Sequence, residues 1–346
     1  LADKKNTGDN GASRVRAPYT ITPLEGLREY AGESRIIYAG DESDLQSAAE
    51  AAVSADAAIV VVGYTADEEG EFIPGDLNLG QDLGPAEVAG ALEGAGQKSN
   101  GGPRGGDRDN LGLPQQQVAL INAVAAANPK TIVVVVAGSA VLFSPWIVGV
   151  GAVLQTFYAG MEGGRALARM VFGEVSPSGK LPFTVASDPE QYPYFDKNAD
   201  QIEYGYWHGY ALFDREGFTP DFPFGHGLSY GEFTYRALSA RRLSDGAIEA
   251  QVSVRNIGSF KADEVAQLYV APPGVSAERP AKMLRGFHRL ELAPGETRTI
   301  RFVVPEEDLK CYDPVTASWK METGVHGILV GGSSALAAQL RVSVSL

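Results

Sequence analysis

Two patterns of apolar residues divide the chain. From about residue 26 to residue 186, short and nearly continuous apolar runs alternate with helical segments. The apolar runs are 35–40, 57–62, 131–138 and 152–160, and the helical segments are 41–57, 114–129 and 162–173. Runs of Val and Ile that are separated by helices indicate parallel strands buried on both faces. This part of the chain is therefore predicted to be an α/β sandwich, a mostly parallel sheet flanked by helices.

After about residue 231 the apolar positions alternate with polar ones. This period of two recurs in the stretches 247–256, 299–304, 326–332 and 340–346, with turn residues between them. Short alternating strands over this length indicate an all-β sandwich of the immunoglobulin or fibronectin III-like type. We predict an α/β domain over 1–190, an aromatic-rich connecting segment over 191–230 and the β-sandwich over 231–346.

Composition narrows the classes of ligand. The 346 residues include 29 Lys and Arg and 43 Asp and Glu, which gives a net charge of −14. That balance disfavours nucleic acid and anionic membranes as partners and is compatible with neutral ligands such as sugars. The single cysteine, Cys311, excludes an internal disulfide and a cysteine-built metal site. No apolar run approaches the roughly 18 residues of a membrane span, and we predict neither a metal nor a cofactor.

An acidic cluster follows the apolar run 57–62. The stretch "YTADEEGEFIPGD" (64–76) holds Asp67, Glu68, Glu69 and Glu71. Ligands of parallel α/β sheets gather beyond the carboxyl ends of the strands, so such a cluster can hold a carboxylic acid that does chemistry. It can also be a solvated loop, and it lacks the Asp/Asn-x-Asp-x-Asp-Gly frame of a calcium site.

Five stretches resemble, in order, the C-terminal half of glycoside hydrolase family 3. They are "GDNGASRVRAPYTITPLEGL" (8–27), "GMEGGRALARMVFGEVSPSGKLPFT" (160–184), "YGYWHGYALFD" (204–214), "FPFGHGLSY" (222–230) and "MLRGFHRLELAPGETRTIRFVV" (283–304). Most of these blocks also suit turns and aromatic packing, so we interpret them as scaffold. On that interpretation His226 is a structural histidine and Arg165 supports a neighbouring loop.

The resemblance implies a function and a missing partner. It implies a retaining exo-β-glycosidase, first of all a β-glucosidase that hydrolyses terminal non-reducing β-D-glucosyl residues, with β-xylosides as the next substrate class. The family's β/α barrel, which carries the nucleophile, has no counterpart here, and neither has the strand that comes before residue 1 in the family. The expected partner is therefore the N-terminal barrel portion of the same enzyme, without which this chain is expected to be inactive.

The resemblance also points to a catalytic residue. The family's general acid/base is commonly a Glu in a pattern such as S-E-G-Y-D-R, and the corresponding position here is Glu71, with Glu69 as the alternative or as a neighbour that raises its pKa. A segment resembling the continuation, "GGDRDNLGLP" (105–114), appears only after a Gly-rich insertion at 74–106. Asp67 and Glu68 are interpreted as solvated charges.

Several alternatives stay open at this point. The chain can instead be a non-catalytic module that binds carbohydrate or stabilises a partner. Neither the sugar nor the substrate-binding residues follow from the sequence, and a homo-oligomer is left open. A secreted or periplasmic location is favoured over a cytoplasmic one.

Overall fold

The computed structural model describes residues 1–8, 15–40, 43–70, 108, 110–196, 199–274, 279–313, 315–335 and 340–346. Contacts divide the chain into an N-terminal unit, Leu1–Phe172, and a C-terminal unit, Gly173–Leu346. The aromatic-rich connecting segment 191–230 thus groups with the β-sandwich. In the described ranges no helix has both the length and the apolar character needed to cross a membrane.

The N-terminal unit is built on a parallel sheet. Its described strands are β1 (Ala58–Gly63), β2 (Thr131–Val136) and β3 (Ala152–Gln155), which lie in the order β1-β2-β3. Both neighbouring pairs are parallel. Val133, in the middle of β2, is fully buried, as a strand covered on both faces requires. The predicted parallel sheet is confirmed.

Helices surround this sheet. They are α1 (Pro23–Ala31), α2 (Leu45–Val53), α3 (Ala66–Glu69), α4 (Gln115–Ala127) and α5 (Gly163–Val171), with a short 3-10 helix at Glu33–Arg35. The predicted helical segments contain α2, α4 and α5, and the structure ends each helix a few residues earlier. The start of α1 is fixed by a capping box, in which Thr22 and Glu25 satisfy each other's backbone N–H groups.

Helices α1 and α5 touch through their backbones. A Cβ atom added to Gly26 would lie 2.1 Å from the Gly164 carbonyl oxygen, and one added to Gly164 would lie 2.0 Å from the Thr22 carbonyl oxygen. Only glycine therefore fits at both positions. On the surface of the same pair, Arg165 forms an ion pair of 2.6 Å with Glu29, which agrees with its interpretation as a supporting residue.

An apolar cleft of about 750 Å³ runs beside β1. The segment 36–39 and the strand residues Ala58–Val61 are among the residues that line it. The apolar run 35–40 forms no strand, contrary to the prediction, and no described strand pairs with the outer edge of β1. The amino group of Leu1 donates to the Val61 carbonyl oxygen at 3.2 Å on that edge.

The C-terminal unit is a β-sandwich of antiparallel strands, as predicted. The strands are β4 (Phe233–Arg242), β5 (Ile248–Asn256), β6 (Ala262–Ala271), β7 (Met283–Leu292), β8 (Thr297–Val304), β9 (Lys310–Asp313), β10 (Ser318–Met321), β11 (Val325–Gly331) and β12 (Arg341–Ser345). One sheet has the order β12-β11-β6-β7 and the other β4-β5-β8, and β9 pairs with β10 in a separate hairpin. Helix α6 (Gly209–Glu216) and 3-10 helices at Pro189–Gln191 and Glu306–Leu309 complete the unit. Its core is formed by inward residues of both sheets.

Two of the blocks quoted above meet within this unit. The N–H of Leu181 donates to the His226 carbonyl oxygen at 2.8 Å, and a Cβ added to Gly227 would lie 2.2 Å from the Gly179 carbonyl oxygen. The ring of His226 packs on Phe222 with centroids 5.0 Å apart, and burial lowers the pKa of His226. These contacts agree with a structural role for His226.

A buried ion pair lies next to this contact, and we call it the Glu264 network. Glu264 of β6 is within 3.3 Å of Lys180 Nζ, which also donates to the Gly227 carbonyl oxygen at 2.8 Å. The hydroxyl of Tyr235 donates to the other carboxylate oxygen at 2.8 Å. Burial raises the pKa of Glu264, and it outweighs the opposing effects of Lys180 and Tyr235.

Candidate active site

The candidate site begins where the chain leaves β1. Gly63 has φ of 129°, and a Cβ there would lie 1.9 Å from the Val136 carbonyl oxygen of the neighbouring strand. The side-chain amide of Gln117 accepts from the Gly63 N–H at 2.8 Å and donates to its carbonyl oxygen at 3.0 Å. The direction in which the chain continues towards the acidic cluster is therefore set by a glycine and a buried amide.

The short helix α3 carries the first acidic residues of the cluster. Thr65 caps it, and the Glu68 carboxylate accepts from the Thr65 N–H at 2.7 Å, which completes a capping box. Asp67 and Glu68 are exposed to solvent. Their charges suit the first turn of a helix, and they agree with the interpretation as solvated groups.

Glu69 has a different environment. Its Oε1 accepts a hydrogen bond from the Gly138 N–H at 2.5 Å and another from the Tyr158 hydroxyl at 2.5 Å. Its Oε2 forms an ion pair with Arg108 Nε at 3.2 Å. The side chain is only 9% exposed. Both carboxylate oxygens are thus engaged by donors, at the carboxyl end of the sheet.

Arg108 is held as firmly as Glu69. Its side chain is 10% exposed, and its guanidinium lies 4.7 Å from the centre of the Tyr64 ring. Its Nη2 donates to the Ser139 hydroxyl and, at 3.1 Å, to the Ala140 carbonyl oxygen. Nη1 is buried and finds no acceptor in the part of the chain that the structure describes. A planar, fixed guanidinium of this kind gives an ion pair a defined geometry.

Tyr158 reaches Glu69 from the chain beyond β3. The preceding residue, Phe157, has φ of 53°, a left-handed conformation that is uncommon for a bulky residue and costs about 1–3 kcal/mol. A Cβ added to Gly8 would lie 2.9 Å from the Tyr158 ring, so the backbone at Gly8 packs closely on that ring. Burial, and secondly the hydrogen bond to Glu69, raise the pKa of Tyr158, so its hydroxyl stays a donor.

Of the two carboxylates that the sequence leaves as alternatives, the structure describes only Glu69. Three protein donors occupy three of the four lone-pair sites of the Glu69 carboxylate, two on Oε1 and one on Oε2. Glu71 and the insertion 74–106 lie outside the described residues. In the described ranges, no group of three or more His, Cys, Asp or Glu side chains could hold a metal ion.

Sequence reasoning missed Arg108, Tyr158 and Gly138 as members of this site. Arg108 stands in "GGDRDNLGLP", which was described above only as a family motif, and Tyr158 stands in the apolar run 152–160, which was described only as a strand. One signal was available: a Tyr placed at the end of an apolar strand usually brings its hydroxyl to a partner. The partner itself lies far away along the chain, so no local pattern identifies it.

Comparison with known families gives a consistent result. The model of the glycosyl hydrolase family 3 C-terminal domain matches residues 1–230, and the model of the fibronectin type III-like domain matches residues 264–334. The first of these matches covers more than half of the chain.

Individual relatives are longer than this chain. Thermostable β-glucosidase B of Acetivibrio thermocellus is 39% identical over 239 residues, which are 66% of this chain and 31% of that protein. An exo-α-(1→6)-L-arabinopyranosidase of Bifidobacterium longum is 35% identical over 236 residues, again 66% of this chain and 31% of that protein. The solved β-D-glucoside glucohydrolase of Trichoderma reesei gives a TM-score of 0.81 at 29% identity, covering 98% of this chain and 47% of that one. The chain thus spans about a third to a half of the length of these relatives.

Proposed function

Because this chain belongs to glycoside hydrolase family 3, we propose that it is the C-terminal portion of a retaining exo-β-glycosidase whose general acid/base is Glu71. The favoured activity is that of a β-glucosidase, the removal of terminal non-reducing β-D-glucosyl residues. The nucleophile belongs to an N-terminal barrel portion that acts together with this chain.

The environment of Glu69 is the observation that carries the assignment. A general acid must present a protonated oxygen to the departing group, and it must be within hydrogen-bond reach of that group. The oxygens of Glu69 are already bound by Gly138, Tyr158 and Arg108. Glu71, two residues further on, is the next carboxylate in the same cluster, and the resemblance to the family supports it as the acid/base.

The proposed reaction uses two carboxyl groups in turn. In a retaining enzyme they stand about 5–5.5 Å apart, and the nucleophile forms a glycosyl-enzyme while the acid protonates the leaving oxygen. The same residue, now a carboxylate, then removes a proton from the water that releases the sugar. Glu71 performs both proton transfers in this proposal.

The cleft beside β1 is an observation that favours an N-terminal partner. In a parallel strand, every second residue directs its backbone N–H and C=O to the same neighbouring strand. The Tyr64 N–H donates to the Val136 carbonyl oxygen of β2. Ile59 and Val61 therefore point their backbone groups away from β2 and towards the cleft. A strand edge that no described strand covers, beside apolar walls, is a surface on which a further extended segment can pair. We propose that the N-terminal portion supplies that segment.

The sugar is a separate question. The relatives include a β-glucosidase and an exo-α-(1→6)-L-arabinopyranosidase at similar identity, so the likeness does not distinguish hexosides from pentosides. We propose β-glucosides first and β-xylosides second. A panel of nitrophenyl β-glucoside, β-xyloside and α-L-arabinopyranoside ranks them directly by kcat/KM.

The test of the acid/base is Glu71→Gln in the enzyme assembled with its N-terminal portion. Loss of a positioned general acid costs about 10²–10⁴-fold in rate. We expect that loss in kcat/KM for alkyl β-glucosides, whose leaving groups need a proton, and a much smaller loss for dinitrophenyl β-glucoside. Azide attacks the glycosyl-enzyme without the help of a general base. It should therefore speed the turnover of the dinitrophenyl substrate by the Glu71→Gln variant and give a glycosyl azide.

Glu68→Gln is the matched control. It makes the same change on an exposed side chain of the same cluster and should leave both substrates unaffected, apart from a small effect on the α3 cap. Equal kinetics for Glu71→Gln and Glu68→Gln would remove Glu71 from the role. Glycan binding without turnover in the assembled wild-type protein would instead favour a non-catalytic carbohydrate-binding module. This chain alone is expected to be inactive on the same panel.

A further inference from the structure

We propose that Glu69, Arg108 and Tyr158 form a clamp that positions the general acid/base by fixing the polypeptide immediately before Glu71. The inference rests on the proposed function of Glu71. The three residues are positioning residues in this proposal, and none of them contacts the reacting atoms. We call them the Glu69 clamp.

The clamp ties together the ends of all three described strands of the sheet. Glu69 follows β1, Gly138 follows β2 and Tyr158 follows β3, and the last two donate to the same carboxylate oxygen of Glu69. Arg108 binds the other oxygen. A residue held from three directions in this way cannot move without breaking contacts to two strand ends.

Covalent geometry extends this restraint to Glu71. Consecutive Cα atoms are about 3.8 Å apart, and a single residue separates Glu71 from Glu69 in the sequence, so whatever fixes Glu69 also limits where the chain can continue. The residue between them, Gly70, is buried, and its N–H donates to the Ala66 carbonyl oxygen at 3.0 Å. A Cβ at Gly70 would lie 2.3 Å from that oxygen. The backbone is therefore fixed up to the residue that precedes Glu71.

The surroundings of the clamp leave little room for adjustment. A Cβ added to Gly138 would lie 3.3 Å from Glu69 Oε1, so a side chain there would crowd the carboxylate. Tyr158 is packed on Gly8 and follows the strained Phe157. Strain of this kind persists only where the surrounding structure enforces it, and it is found most often at functional sites.

The charges of the clamp cancel. A lone Glu69 carboxylate would raise the pKa of a neighbouring acid, and a lone Arg108 would lower it. Paired at 3.2 Å, they form a neutral unit, flanked by the uncharged Tyr64 and Tyr158 and by the exposed Glu68. The clamp therefore positions the acid/base, whereas the sequence suggests that Glu69 raises the pKa of Glu71. The two roles differ in their effect on the pH profile.

Tyr158→Phe in the assembled enzyme tests the clamp, because it removes one hydrogen bond and no charge. A displacement of about 1 Å can cost about 10²-fold in rate, and we expect about a 10-fold fall in kcat for alkyl β-glucosides. The fall for dinitrophenyl β-glucoside should be smaller, KM should change little, and the basic limb of the pH profile of kcat/KM should stay in place. A shift of that limb would contradict a positioning role.

Tyr19→Phe is the matched control. It also removes a Tyr–Glu hydrogen bond, of 2.6 Å to Glu162, from the surface of the same unit. It should leave kcat unchanged for both substrates. An equal fall in Tyr19→Phe and Tyr158→Phe would overturn the clamp, because the effect would then be a general one.

A second variant removes the ion pair without changing the net charge. Glu69→Gln combined with Arg108→Gln should lower kcat for alkyl β-glucosides more than Tyr158→Phe does, again with an unmoved basic limb, in protein shown to be folded by its thermal transition. If the Glu71→Gln variant has the same kinetics as the wild type, the proposed function itself is overturned. If Glu71→Gln loses activity while Tyr158→Phe has the same kinetics as the wild type, only the clamp is overturned.

Discussion

Each unit of this chain buries a glutamate beneath a tyrosine hydroxyl and a basic side chain, yet the two arrangements serve different ends. The Glu69 clamp joins residues that follow three strands of one sheet, directly before the catalytic candidate. The Glu264 network joins a strand of the sandwich to the loop that carries Lys180 and to the turn at Gly227. The chemistry of the three side chains is therefore not enough to identify a functional site.

The balance of burial and charge differs between the two. Glu264 lies inside the sandwich, and burial raises its pKa in spite of Lys180. Glu69 receives a backbone N–H in addition to a tyrosine hydroxyl and a basic side chain, so three donors satisfy its charge and two satisfy that of Glu264. The comparison teaches that position relative to a strand end, and the number of donors, separate a positioning carboxylate from one that secures a core.

The largest expected effect is on the Glu264 network. Lys180→Met leaves the Glu264 carboxylate buried without its cation, which should lower the free energy of unfolding by about 3–5 kcal/mol. Urea denaturation measures the loss. Lys261→Met, which breaks an exposed pair with Glu291 of 2.7 Å, should lower the free energy of unfolding far less, because solvent screens this pair. Equal losses would show that the Lys180 pair is worth no more than a surface pair.

A pair of Tyr→Phe variants compares the two arrangements directly. Tyr235→Phe removes a hydrogen bond to a charged group, and we expect it to lower the free energy of unfolding by about 1.5–3 kcal/mol. It should leave the ratio of kcat for alkyl and dinitrophenyl β-glucosides unchanged, whereas Tyr158→Phe should change that ratio. If Tyr235→Phe changes it as well, the proposed division between securing and positioning is wrong.

The smallest expected effect is a change in pH dependence. Because the pKa of Glu264 is raised in the folded state, the folded protein holds this proton to higher pH than the unfolded chain does. Its contribution to stability is therefore greatest below the ordinary glutamate pKa of 4.5, and it is lost as the pH rises through the raised value.

Glu264→Gln should remove that part of the pH dependence. The amide oxygen still accepts from Tyr235 and does not ionise, so the urea midpoint of the variant should fall less than that of the wild type between pH 4.5 and neutrality. A wild-type slope in the variant would assign the pH dependence to another group.

The apolar pattern predicted most of the architecture because it reports burial directly. The Val-rich runs became β1 and β2, and the alternating stretch 247–256 became β5, which is buried at Val252 and Val254. Of the run 152–160 only Ala152–Gln155 became a strand, and the run 35–40 formed none. A strand needs a neighbour to bond with, and this run faces the cleft with no described strand beside it.

The site was harder to predict than the fold because its contacts are long-range. The acidic cluster pointed to the carboxyl end of the sheet, where Glu69 lies. The family pattern favoured Glu71 over Glu69 as the acid/base. The ion pair of Glu69 with Arg108 spans the whole insertion, and the orientation of Tyr158 depends on the unusual φ of Phe157. Neither the ion pair nor the dihedral angle leaves a periodic trace in the sequence.

The contact between Gly26 and Gly164 has a consequence for engineering. Each glycine accommodates the backbone of the other helix, so "TPLEGL" and "EGGRAL" are two halves of one interface. A chimaera that takes one of these segments from a relative with a bulkier residue at Gly26 or Gly164 would force the helices apart. This would happen even where each segment forms its helix normally in its own parent. Recombination sites in this unit should therefore keep residues 22–27 and 162–167 from the same parent.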